Sequence, residues 1–193
     1  MYRKENNTIC GVLNDFDLAL FTDDDKDGPT SRQRTGTEPF MAIDLLEDPS
    51  SPPQHLYRHD LESLFYVMVF ITTRYDKGKE IKRDALEEWL VQLGTAQAGV
   101  KRGFLLEPPP SSTDSYKAIE PLVSGLHTLF ARGYWEQKEH RERQKYKRSG
   151  MVEEYKNMMK LSSLDDNYDE ETLGGIVTFD TFNELLQMAL EEV

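Results

Sequence analysis

The chain has 193 residues, 38% hydrophobic and 30% charged, enough to bury one core and too few for two domains of ordinary size. Its formal net charge is −12, and residues 151–193 carry 11 acidic against 2 basic residues, so the overall field argues against nucleic acid as a partner. Cys10 is the single cysteine, which excludes an intrachain disulfide, and the longest apolar run, Leu64 to Ile71, is too short to span a bilayer. With no apolar leader core in Met1 to Cys10, these features predict a soluble intracellular protein without a membrane partner.

Ile9 to Leu13 is rich in β-formers and runs into Asn14 and Asp15, which predicts a strand ending in a turn. Asp15 and Asp17 flank Phe16. A carboxylate at a strand end is placed to hold a hard cation, and an Asx turn over a buried Phe is the other reading. Asp23 to Gly28 matches the first half of a calcium-binding loop, but Arg34 stands where the bidentate Glu is required. Asp17 to Thr37 therefore reads as a long exposed loop.

Phe40 to Leu46 is a short apolar stretch after Pro39, and Pro49 to Pro53 is a linker. His59 to Tyr75 follows, apolar on nearly every face from Leu61 onward. It predicts a helix over 57–74, capped by Asp60, buried all round, and serving as the central core element. Asp84 to Leu93 predicts an amphipathic helix through Leu86, Trp89, Leu90 and Leu93, with Asp84 as its cap.

Ser115 to Arg132 predicts another helix, through Ile119, Leu122, Val123, Leu126, Leu129 and Phe130. Trp135 to Leu161 favours helix and holds six basic and three acidic residues between Glu136 and Arg148, which reads as a solvated face or a basic docking face. Ser162 to Gly175 reads as loop. The closing helix places Phe179, Phe182, Leu186 and Ala189 on one face, with Thr181 and Glu184 as a capping box. The fold class expected is mainly α with a short β element at the N-terminus.

Three segments in fixed order carry a resemblance: LNDFDLA at Leu13 to Ala19, RTGTEPFMAIDLL at Arg34 to Leu46, and HDLESLFYVMVFI at His59 to Ile71. Together they resemble the large lobe of a protein kinase, and most closely the fungal-type protein kinase family. The resemblance is sharp from Gly11 to Thr73. It implies an incomplete kinase-like C-terminal lobe over 1–193, with a strand and metal motif at 1–19, an activation segment at 20–46, the central helix at 57–74 and further helices over 84–193.

By that resemblance Asp15 binds magnesium bridging the ATP phosphates, and Phe16 packs inward to position it. Thr35 and Gly36 lie in the activation segment, with Thr30 and Ser31 nearby, where a phosphate can pair with arginine. Thr37 supports the catalytic base, Asp44 is the carboxylate closing the segment, and Asp60 anchors the catalytic loop. The sequence departs from the family in Asp17, where glycine is usual, and in Ile43-Asp44, where Pro-Glu is usual. It also has no glycine-rich loop, strand lysine or His-Arg-Asp, and 14 residues precede Asp15.

ATP and magnesium are thus cofactors of the full-length family, which phosphorylates serine and threonine, and this chain is expected to bind neither productively. It reads as a serine/threonine kinase lobe inactive by itself, with a protein substrate or scaffold partner unspecified and apolar surface exposed where the missing elements pack. A non-catalytic, pseudokinase-like scaffold is the alternative. A metal-dependent transferase using Asp15-Phe16-Asp17 is a third reading, and it leaves Arg34 to Ile71 unexplained.

Overall fold

The apolar run near residue 65 becomes an 18-residue helix around which a mainly helical unit is assembled. A computed structural model describes residues 2–5, 8–11, 37–48, 50–51, 53–81, 86–160 and 167–191. Met1–Gln33 and Arg34–Val193 form two units. In the first, β1 (Tyr2–Glu5) pairs antiparallel with β2 (Thr8–Gly11), Tyr2 opposite Gly11 and Glu5 opposite Thr8. The strand expected from Ile9 is therefore half of a hairpin whose other strand sequence reasoning passed over. Val12, Leu13 and the loop from Asp17 to Gly36 lie outside the described residues.

In the second unit a 3-10 turn, Glu38–Phe40, leads into α1 (Ile43–Glu47), and α2 spans Tyr57–Arg74. Phe65, Tyr66 and Val69 of α2 are fully buried. Burial on all faces is corrected: Leu64 is 46% and Ile71 39% exposed, while Arg58, His59, Glu62, Thr72, Thr73 and Arg74 are buried. The helix hides polar groups rather than its whole apolar surface because several of them find partners inside. The cap is corrected too. Leu56 is the N-cap residue, its amide donating to His59 Nδ1 at 3.1 Å, and Asp60 lies inside the first turn.

β3 (Tyr75–Asp76) and β4 (Lys79–Glu80) make a two-residue hairpin, with Lys77 and Gly78 at φ 49° and 74° as its tight turn requires. The helix expected through Leu93 is shorter: α3 covers Glu87–Val91 and buries Trp89, while Leu90 and Leu93 are 41% and 66% exposed. One turn and a half presents a single residue inward. Asp84, its expected cap, lies outside the described residues.

α4 (Gly94–Leu106) was not expected, because its inward positions include the polar Gln97 and Lys101 beside Ala98 and Leu105. A 3-10 segment, Asp114–Ile119, precedes α5 (Glu120–Ser149), a single 30-residue helix where the sequence suggested two. Nothing between Arg132 and Trp135 breaks it. Gly150 ends it at φ 75°, its amide donating to the Lys147 carbonyl at 3.1 Å while Met151 donates to Tyr146 at 3.0 Å.

α6 (Val152–Met159) stacks Tyr155 on Tyr146 at 4.5 Å. Turns over residues 170–176 bury Leu173 and lead to Val177, also buried. They press so closely on α5 that a Cβ on Gly133 would sit 2.8 Å from Leu173. α7 (Phe179–Glu191) buries Phe182, but Phe179 is 65% exposed and leaves the expected face. Its capping exchange joins Thr178 and Thr181, each amide donating to the other's hydroxyl at 3.0 Å, in place of Thr181 and Glu184. The core joins α2, α4, α5 and α7, with Phe65 stacked on Phe130 at 5.2 Å and Tyr66 edge-on to Trp89 at 5.0 Å. Among the described residues no helix is long and apolar enough to cross a membrane.

Candidate functional site beneath residues 37 to 47

Residues 41–46 are buried to the last side chain, which is unusual for so short a segment and shows that it is built into the core. Phe40 sets its ring edge-on to Phe70 of α2 at 5.3 Å, and Met41, Ala42, Ile43, Leu45 and Leu46 supply apolar contact. Polar groups fix the register. The Ile43 amide, an orphan donor at the start of α1, donates to Glu62 Oε1 at 2.9 Å. Glu62 also accepts from Tyr66 at 2.8 Å and Tyr134 at 2.6 Å. Burial pushes the Glu62 carboxyl above its usual range, with the donors from Tyr134, Ile43 and Tyr66 acting the other way.

Asp44, 6% exposed, accepts from Arg58 at 2.6 Å and from Gln137 at 2.9 Å. Burial works to raise its pKa, but the Arg58 charge and hydrogen bond, Gln137 and Arg141 together hold it below the usual carboxylate value. Arg102 and Arg141 lie 3.9 and 3.6 Å from its second oxygen. These two arginines also hold Glu47, Arg102 through Nε at 2.8 Å and Arg141 at 3.2 Å. Arg58 spends its Nε on the Glu170 carbonyl at 2.8 Å, tying the turns before α7 to the same cluster.

A buried cation completes the arrangement. Lys101 of α4 is fully buried and donates from Nζ to the Met41 carbonyl, with the Tyr66 ring centroid 4.1 Å and the Trp89 centroid 5.6 Å away. Burial pulls its pKa down to about 7, with the Glu62 charge opposing. His59 is likewise depressed to about 3, by burial and then by Arg58, so its ring is neutral. His55, bonded to Asp60 at 3.0 Å, is raised by that contact.

The structure places the sequence-derived residues unequally. Thr37 is exposed where the segment begins, and its side chain makes no capping bond. Asp44 is in the cluster, while the Asp60 side chain is 73% exposed and apart from it. Asp15, Phe16, Thr35 and Gly36 lie outside the described residues. Sequence reasoning missed Arg58, Glu62, Lys101, Arg102, Tyr134, Gln137 and Arg141. A readable signal existed for Glu62, the one carboxylate within the apolar run of α2, and for Arg58 beside it. Among the described residues no group of three or more His, Cys, Asp or Glu could hold a metal ion.

The described cluster is accordingly an anchoring site, one that locks a loop-derived segment onto a helical unit. Residues 1–72 match a family model described as fungal protein kinase. The match takes in the whole of residues 37–47 and most of α2. No curated protein matches the chain, and no solved structure does.

Proposed function

We propose that this chain is the large-lobe portion of a fungal-type serine/threonine kinase domain, in which residues 37–47 close the activation segment. The observation that carries the reading is the anchorage of that segment, Asp44 to Arg58 and the Ile43 amide to Glu62, inside the stretch that matches the family. In this reading Asp15 is the magnesium carboxylate, Phe16 positions it, Thr37 supports the catalytic base, and Asp60, whose exposed side chain pairs with His55, also receives backbone amides of a catalytic loop. Thr35 and Gly36 belong to the segment's phosphate-responsive part.

By itself the chain transfers no phosphate, because one metal carboxylate replaces neither a positioned base nor a phosphate clamp. The test is a chimaera that joins a fungal-family small lobe and catalytic loop to the N-terminus of this chain. Phosphotransfer from radiolabelled ATP by the chimaera, lost in Asp15→Ala and absent from the unfused chain, is expected. A folded but inactive chimaera, or transfer by the unfused chain that Asp15→Ala abolishes, overturns the reading.

A further inference from the structure

Outside the anchoring cluster, a groove of about 620 Å³ runs between α3, α4 and the chain that leaves α4, within the size range of peptide and ligand clefts. Val100 and Phe104 give it an apolar floor over the buried Trp89, and among the described residues Glu88 and Glu107 are the charged ones that line it. Apolar side chains crowd the same elements in the open: Val91, Leu93 and Leu106 are 67%, 66% and 78% exposed. Of these Leu106 lines the groove, and an exposed apolar side chain at the rim of an apolar floor favours a contact there.

Gly103 supplies the second observation. It lines the groove from the last turn of α4, and a Cβ added there would meet nothing within 4 Å. No close approach of backbone or side chain requires glycine at this position. What its missing side chain does is leave the groove open.

We propose that this groove is a docking site for a peptide segment of a partner protein, one that carries apolar side chains flanked by arginine or lysine. The apolar floor takes the side chains, and Glu88 and Glu107 face the flanking cations; among the described residues no basic side chain lines the groove to receive an acidic peptide. Trp89, buried beneath the floor, also lies against the Lys101 ammonium that holds Met41, so the groove sits over the ring that backs the anchored segment.

The test uses the full chain and two short fluorescein-labelled peptides, each with a pair of leucines, flanked by arginines in one and by glutamates in the other. The arginine peptide is expected to bind saturably, more weakly as salt rises, and more tightly than the glutamate peptide. Gly103→Trp fills the groove and is expected to weaken binding at least about tenfold, a difference readily resolved in a titration. The surface variant Glu88→Lys/Glu107→Lys is expected to reverse the preference between the peptides, and it serves as the test if Gly103→Trp fails to fold. No saturable binding, equal binding of both peptides, or affinity unchanged in folded Gly103→Trp overturns the proposal. So does a dimer in sedimentation that Gly103→Trp converts to monomer, which would make a second copy the occupant.

Discussion

Asp44 and Arg58 meet at 2.6 Å with side chains only 6% and 3% exposed, so neither charge has water to fall back on. Removing one partner strands the other, and Arg58→Met is expected to destabilise the fold by about 3–5 kcal/mol in urea denaturation. Asp44→Leu combined with Arg58→Met should cost at least about 1 kcal/mol less than the two singles summed, since the two changes relieve each other's stranded charge. Strict additivity would show that the pair is not an energetic unit.

The same carboxylate sets an acid limb. Its folded pKa lies below its unfolded one, so its contribution is fully present above the ordinary aspartate value and is lost as pH falls through the folded value. Melting curves between neutral pH and pH 3 should show a steeper acid decline in wild type than in Asp44→Asn, which has no such proton to take up.

Lys101 acts at the other end of the scale. Its folded pKa of about 7 is below the unfolded value of 10.5, so the unfolded chain holds a proton that the folded chain gives up between those limits. Stability should therefore rise with pH from about 7 toward 10, by on the order of a few kcal/mol. Above that, Tyr66 and Tyr134, both raised well above their usual value by burial and then by Glu62, reverse the trend as the unfolded tyrosines ionise. In Lys101→Met the rise between pH 7 and 10 should flatten; an unchanged slope would assign it to other groups.

Glycines at 103, in the last turn of α4, and 133, midway along α5, make a contrasting pair. Gly133→Ala forces a methyl to within 2.8 Å of Leu173 and 3.0 Å of Val177, and should cost about 1–3 kcal/mol despite the better helix propensity. Gly103→Ala meets open space and should stabilise by about 0.5–1 kcal/mol. Thermal melts of the two variants should move in opposite directions.

Tyr134→Phe removes the donor to Glu62 Oε2 at 2.6 Å while leaving the ring packed, and should cost about 1–3 kcal/mol by denaturant titration. A neutral result would mean that water reaches the carboxylate.

Helices whose inward residues are apolar were legible in the sequence: α2, α7 and the first half of α5 announce themselves by spacing. α4 did not, because Gln97 and Lys101 occupy inward positions and read as surface until their partners, the Trp89 and Met41 carbonyls, are known. The same blindness hid the anchoring cluster. Asp44 was legible through resemblance, yet the groups that hold it come from α2, α4 and α5, and no local pattern brings those together. Asp60 read as a cap because it precedes an apolar run, whereas His59 takes the role through its ring.

The long reach of α5 bears on how the chain is made. Tyr134 meets Glu62 across 72 positions and Gln137 meets Asp44 across 93, so neither carboxylate has its full set of partners while synthesis is still short of α5. Contacts of such separation close late and slow folding. The family-matched stretch, residues 1–72, is thus a unit of sequence kinship without being a unit of folding. Its two buried carboxylates wait on a helix that emerges from the ribosome well after them, and a holdase engaging the nascent chain would find each without its α5 partner throughout that interval.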